Sequence, residues 1–323
     1  MNRRRVSRPP PSLVRLSICA ALLAASAARA GDNDLQLWRL GHPDDVAVCV
    51  KCDGTDRSVE PGDLASQARF ARLSAALGLA FVPALFEPAA TTGQAGFEFG
   101  FSGTVAFPRL DPAEWPTAGT QGTSTPPAAL FLPTLTVRKG LGGSFELGLH
   151  ASMLTGSQMF AIGAEVRWAA LEGLDYVPDL GFRVHGTRVL GAQELDLVVA
   201  GADVVLSKSI GIAGQVKFQP YAQYGLVLIN AASGVVDFRP NAEDQRDPTA
   251  DDGVFRSVGL FQNRYSRFVL GFRVVAGVAV IGLEGSYSVG NNAIQSDPLS
   301  DGTPAPRQIT RLWSASGRLG LQF

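Results

Sequence analysis

The chain has 323 residues and a formal net charge of −1, so there is no electrostatic case for nucleic acid as a partner. Hydrophobic residues make up 46% of it, yet no run beyond the N-terminus approaches the ~18 consecutive apolar residues that a membrane-crossing helix needs, which excludes a helical membrane bundle. Glycine is abundant (36) and cysteine scarce (3), and the apolar residues are dispersed by alternation, as in strands that show one face to lipid and the other to a lumen.

The first 30 residues read as an address. Arg3, Arg4, Arg5, Arg8 and Arg15 form a basic region, 16–28 an apolar core, and Ala28–Arg29–Ala30 a small-x-small cleavage site, which predicts a mature chain from Gly31. Cys49 and Cys52 then remain, and in an oxidising compartment such an even pair predicts a structural disulfide. Zinc would need about four ligands and only His42 lies nearby, so no metal or other cofactor is expected.

Residues 31–93 read as a periplasmic N-terminal segment. Its first half is polar and irregular; from 63 to 78 Leu64, Phe70, Leu73 and Leu77 fall at near-helical spacing with Arg69 and Arg72 between them, which predicts an amphipathic helix. The apolar stripe must be buried, either beside the barrel mouth or as a plug in the lumen; an extra strand near 77–85 is a third reading.

From 94 to 323 the period changes to two. The first strand, 94–107, sets Phe97, Phe99, Phe101, Val105 and Phe107 against Glu98, Ser102 and Thr104. Further strands follow near 129–138; 145–153, with Glu146, His150 and Ser152 on the polar face; 162–168, with Glu165 and Arg167; and 180–187, with Arg183 and His185. The sixth, 194–207, is apolar on both faces and its facing is ambiguous. The seventh, 212–223, carries Lys217; the eighth, 267–274, carries Arg267 and Arg273; the ninth, 281–288, carries Glu284. The last, 313–323, alternates to the chain's final residue, with Arg318 on its polar face and Phe323 at its end.

That closing strand resembles the closing strand of Gram-negative outer-membrane β-barrel proteins, whose terminal Phe is read by the assembly machinery. The resemblance implies an all-β, transmembrane, antiparallel up-and-down barrel of about ten strands (about eight to twelve). It also implies localisation in the bacterial outer membrane, and membrane lipid and the barrel-assembly machinery as partners of a monomer. The connections largely fit: counted back from Phe323, the long segments 290–307, 227–263 and 108–128 fall outside and the short turns 276–277, 208–211 and 140–143 inside, while the middle is less tidy, with a short outer connection at 190–193 and a periplasmic one near 170–178.

An Arg or Lys on the lipid face at the bilayer midplane costs ~2–4 kcal/mol. Glu98, Glu146, His150, Glu165, Arg167, Arg183, His185, Lys217, Arg273, Glu284 and Arg318 are therefore expected to line the lumen. Trp168, Tyr265, Tyr287 and Trp313 are expected in the interfacial girdles. His150–Ala151–Ser152 resembles the His-x-Ser element of outer-membrane phospholipases and lipid A deacylases. Those families follow the Ser with Asn, where this chain has Met153, and place the pair on the lipid face; the paired acidic and Asp–His elements of the omptin proteases have no counterpart. The acidic stretch 237–256 lacks a calcium-loop pattern and reads as a solvated outer loop. The expectation is a non-enzymatic barrel forming a narrow pore for small polar solutes. The alternatives are a closed structural barrel that binds through its outer loops, and a lumenal His150 hydrolase.

Overall fold

A computed structural model describes residues 31–41, 62–110, 112–120, 126–212, 216–238, 240, 252–261, 263–290 and 311–323. The leader, the Cys49/Cys52 pair, most of the 237–256 stretch and nearly all of 290–307 lie outside the described residues.

The wall is built of ten long strands: β1 Phe97–Pro108, β2 Leu130–Gly140, β3 Phe145–Met153, β4 Phe160–Leu171, β5 Asp179–Leu190, β6 Leu195–Ser207, β7 Val216–Ser233, β8 Arg264–Ala276, β9 Ala279–Gly290 and β10 Arg311–Gln322. Each pairs antiparallel with its neighbour in sequence, and β10 returns to β1 in register from Glu98↔Gln322 to Pro108↔Leu312, so the sheet closes. Closure removes the unpaired edges that hydrocarbon would not tolerate. Phe323 lies on this seam, its N–H donating to the Phe97 carbonyl (2.8 Å) and its own carbonyl accepting from the Phe97 N–H (3.0 Å). Two small additions decorate the wall: Ile210–Ile212 folds back on the start of β7, and Val236–Asp237 pairs with Asp252–Gly253 beyond its end.

Period-two alternation becomes two surfaces. Phe99, Phe101, Leu135, Leu149, Ile162, Val184, Leu270, Leu283 and Leu319 are exposed on the outside, while Glu98, Arg138, Glu146, Glu165, Arg183, Arg273, Glu284 and Arg318 are buried inside. At the end bearing Phe323 the outer face carries the stacked rings of Phe145, Trp168 and Phe182; at the other end Tyr287 packs on Trp313 (4.4 Å between centroids). Tyr265 departs from the expected girdle: its parity on β8 turns it inward, where it is buried beside Asn263. The strand glycines make room for the polar interior. A Cβ on Gly163 would come within 2.3 Å of His150 Nε2, one on Gly201 within 2.3 Å of His185 Nε2, and one on Gly225 within 1.9 Å of Asp203 Oδ1. Each of these three polar side chains lies over a glycine of the next strand. Gly277, at φ 59°, makes the tight β8–β9 turn that a residue with a side chain would strain.

The two barrel ends differ as expected. The end bearing Phe323 carries the short connections 141–144 and 277–278 and the longer 172–178; the opposite end carries 109–129, 234–263 and 291–310, with the short 191–194 among them, and is the outer one. β7 runs ten residues further than the alternation suggests, to Ser233, and the ambiguous β6 turns Leu195, Leu197 and Val199 inward. Both anomalies have one cause. The outer half of the lumen is apolar, lined by Leu130, Leu132, Val189, Leu197, Val227, Ile229 and Leu312, because an apolar helix fills it.

That helix, α1 (Gly62–Ala80), is rich in Ala and Leu, strong helix formers, and ends three residues before Pro83. The expected one-sided stripe is instead burial on nearly all sides: Phe70, Leu73, Ser74, Ala75, Ala76, Leu77 and Leu79 are all inside, the mark of a helix enclosed by protein. The Ser74 hydroxyl donates back to the Phe70 carbonyl (2.8 Å), and Phe70 stacks on Phe255 of the loop after β7 (4.8 Å). Of the readings for 63–78, the geometry is that of the plug; residues 81–93 form no strand, bending at 81–82 and 89–90.

Candidate functional site

The site is the lumen and the segment that occupies it. Residues 31–41 are fastened to the outer loops: the Asn33 N–H donates to the Gly156 carbonyl (2.8 Å), Gln36 N–H to Pro116 (2.8 Å) and Leu37 N–H to the Glu194 carboxylate (3.0 Å). The expected periplasmic position of this segment is therefore corrected. It sits at the end opposite Phe323, because its polar backbone is satisfied there by loop carbonyls and amides. From that rim α1 enters the barrel, held by Gln67 against Arg256 and by an Arg72–Glu114 ion pair (2.6 Å).

Below α1 residues 81–93 descend, without helix or strand, through a ring of charge. Arg267 donates to the Pro83 carbonyl (3.1 Å) and Arg138 to the Leu85 carbonyl (3.0 Å), while the Leu85 and Phe86 N–H groups donate to Glu284 (3.0 and 2.9 Å). Glu87 lies fully buried at the centre. Its carboxylate is bound by Arg138 (2.7 Å), Arg318 (3.0 Å) and Arg273, with Arg167 at 3.9 Å. Next, Arg167 donates to the Pro88 carbonyl, Ala89 N–H to Ser207 Oγ (2.8 Å), Thr91 N–H to Glu172 (2.9 Å) and Thr92 N–H to Glu146 (3.1 Å). The segment thus crosses the whole barrel and emerges at the periplasmic mouth. A cavity of about 440 Å³ opens there between Pro88, Thr92, Lys217, Gln219, Arg273 and Gln322.

Charge balance explains the grip. Among the described residues, the wall contributes six arginines (138, 167, 183, 267, 273 and 318) and five carboxylates (Glu98, Glu146, Glu165, Asp203 and Glu284) to the buried ion-pair network. Glu87 is the sixth, and it comes from the plug. Unpaired charges inside a barrel cost several kcal/mol each, so the docked plug completes what the wall leaves open (~3–5 kcal/mol for breaking one such pair).

Of the residues expected to line the lumen, all but Lys217 are buried there. Lys217 shares their parity, but it is exposed at the periplasmic rim, where β7 begins below the occupied section. Arg267, on the polar face of β8 with Arg273, is buried in the lumen too, and so are Arg138 of β2 and Asp203 of β6, the strand whose facing alternation leaves ambiguous. Glu87 has a fainter signal: a single acid in the apolar, proline-bounded run Pro83–Ala84–Leu85–Phe86–Glu87–Pro88. The hydrolase constellation is not assembled. His150 Nε2 is hydrogen-bonded to Thr187 Oγ1 (3.0 Å), and Glu165 is held by Arg138 (2.6 Å) and Arg183 (2.7 Å) rather than by the imidazole. Outside the wall, burial alone would raise the Glu172 carboxyl. Hydrogen bonds from the Ser144 hydroxyl (2.6 Å) and from the Thr91 amide and hydroxyl outweigh it and hold Glu172 below the ordinary carboxylate range.

A closed antiparallel barrel with an apolar exterior, a charged interior and unequal loop ends is a transmembrane barrel of the bacterial outer-membrane class. No protein-family model matches the chain, and no curated protein matches it. Among solved structures, it is similar to the N-terminal β-barrel domain of Pseudomonas aeruginosa OprF, at 13% identity and a TM-score of 0.28, covering 72% of this chain and 99% of that one. It is also similar to OprG of Pseudomonas aeruginosa (11%, TM-score 0.29, 72% and 98%) and to the outer membrane protease OmpT of Escherichia coli (8%, TM-score 0.35, 73% and 98%). These scores are low, and the class rests on the strand register and surfaces described above.

Proposed function

We propose that the protein is an outer-membrane barrel whose pore is closed at rest by its own N-terminal segment, and that it passes small polar solutes when α1 and residues 81–92 below it leave the lumen together. The observation that carries this reading is Glu87, a carboxylate of the plug gripped by arginines of β2, β8 and β10. With the segment gone, the ion-pair ring keeps six arginines against five carboxylates, which favours anions among the solutes. The engagement of His150 by Thr187 and of Glu165 by two arginines supports a non-enzymatic role.

The test is planar-bilayer conductance of the full chain. Wild type is expected to be silent for long intervals, and Glu87→Gln to open in discrete steps whose reversal potential in a salt gradient favours anions. Free conductance by wild type would refute closure by the plug. Silence in both, with the barrel folded, would leave a structural barrel working through its outer loops.

A further inference from the structure

We propose that the barrel serves as the passage for its own N-terminal end and displays it on the outer face of the membrane. This goes beyond closure of the lumen, since a plug could equally hang from the periplasmic side. Here the polypeptide has a direction. β1 starts at the periplasmic end, where the Phe97 N–H meets the terminal Phe323 carbonyl (3.0 Å). From that point back towards the N-terminus the chain climbs past Glu146 and Glu172, the Glu87 cluster and α1, reaching the outer loops at Gly41 and the residues before it.

The end of the path is built into those loops. Asp34 accepts from the Ser157 hydroxyl (2.9 Å) and the Gln158 N–H (2.7 Å), Leu35 pairs with Thr117, and the Gly119 N–H donates to the Asp32 carbonyl (2.8 Å). A chain made inside the cell reaches this position only across the membrane. A route through lipid would leave backbone amides and carbonyls unpaired in hydrocarbon, several kcal/mol for each group. The lumen supplies partners along the whole way, from the Thr92 amide to the Pro83 carbonyl. The arm therefore crosses inside the barrel, and residues 31–41 are displayed on the outer face.

Site-specific labelling on intact cells tests this. In a full chain whose three native cysteines are replaced by serine, single-cysteine variants are placed at exposed positions and treated with a membrane-impermeant maleimide: Asp32→Cys on the arm, Phe261→Cys in the loop after β7 (75% exposed), and Tyr176→Cys in the periplasmic β4–β5 turn (99% exposed). Heat-modifiable gel mobility confirms that each variant is a folded barrel. The expected result is labelling of Asp32→Cys and Phe261→Cys on intact cells, and of Tyr176→Cys only after permeabilisation. Asp32→Cys that reacts only with Tyr176→Cys, or only after unfolding, overturns the proposal. These outcomes are independent of conductance, so a silent, displayed barrel and a conducting barrel with a periplasmic arm are told apart.

Discussion

Replacing Glu87 by Gln keeps the shape of the plug's anchoring side chain and removes its charge. Three arginines then lose a close carboxylate, and the buried network passes from six against six to six arginines against five carboxylates. Removing one partner of a buried pair costs ~3–5 kcal/mol. Glu98, which also pairs with Arg138, Arg273 and Arg318, absorbs part of the loss, so the lower value, ~3 kcal/mol, applies to docking of residues 81–93. At about 1.4 kcal/mol per tenfold, undocking becomes on the order of a hundred times more frequent. Hydrogen exchange read by mass spectrometry in lipid nanodiscs resolves this by segment. Amides of 81–93, including Leu85 and Phe86 bonded to Glu284, should exchange about a hundredfold faster, with β3 to β6 unchanged. Adding Arg273→Gln, which restores equal numbers of opposite charges, should recover part of the protection. Unchanged exchange over 81–93, or plug and strands accelerating together, would refute the charge-balance reasoning.

The other predictions address the wall and the rim. Gly201→Ala, whose Cβ would lie 2.3 Å from His185 Nε2, should lower stability by ~1–3 kcal/mol in detergent unfolding, whereas Gly285→Ala, with nothing within 4 Å, should be near neutral; equal effects would contradict the notch account. Leu149→Arg, on the lipid face and 64% exposed, should cost ~2–4 kcal/mol in folding equilibria with vesicles, and full tolerance would place β3 outside the bilayer. Glu172, held below the ordinary carboxylate range, adds stability that is present above its unfolded-state value and is lost as pH falls through the lowered folded value. Glu172→Gln should therefore depress the unfolding midpoint at neutral pH and converge with wild type in acid; a gap that persists unchanged into acid would contradict the assignment.

The barrel was legible because the lipid face enforces strict alternation, and strands such as β1 and β10 carry that signature without interruption. Connection parity is legible at both ends of the barrel sequence, where outer loops such as 234–263 are long, and fails in the middle, where 191–194 is a short outer turn and 172–178 a longer periplasmic one. The sequence pattern leaves the place of the 63–78 helix open between a plug in the lumen and a helix beside the mouth. An apolar helix inside a barrel is buried on all sides, so α1 shows only a blurred stripe, and it imposes apolar partners on β6 and β7 that hide their inward parity. Glu87 was missed because its partners are 51 to 231 residues away in sequence, a separation at which spacing carries no signal. Lys217 shares the inward parity but lines the cavity at the periplasmic mouth, because parity fixes the face of a residue and not its depth.

The central claim, that residues 81–93 occupy the lumen, is tested most directly by tying them to the wall. A Cβ on Gly181 of β5 would lie 3.3 Å from the Ala89 Cβ, close to the ~3.5–4.5 Å of a disulfide. The account predicts that Ala89→Cys/Gly181→Cys, in the cysteine-free chain and folded in lipid, forms this bond on mild oxidation, seen as a single cross-linked peptide by mass spectrometry. A folded, oxidised barrel in which these two cysteines stay unlinked would contradict it.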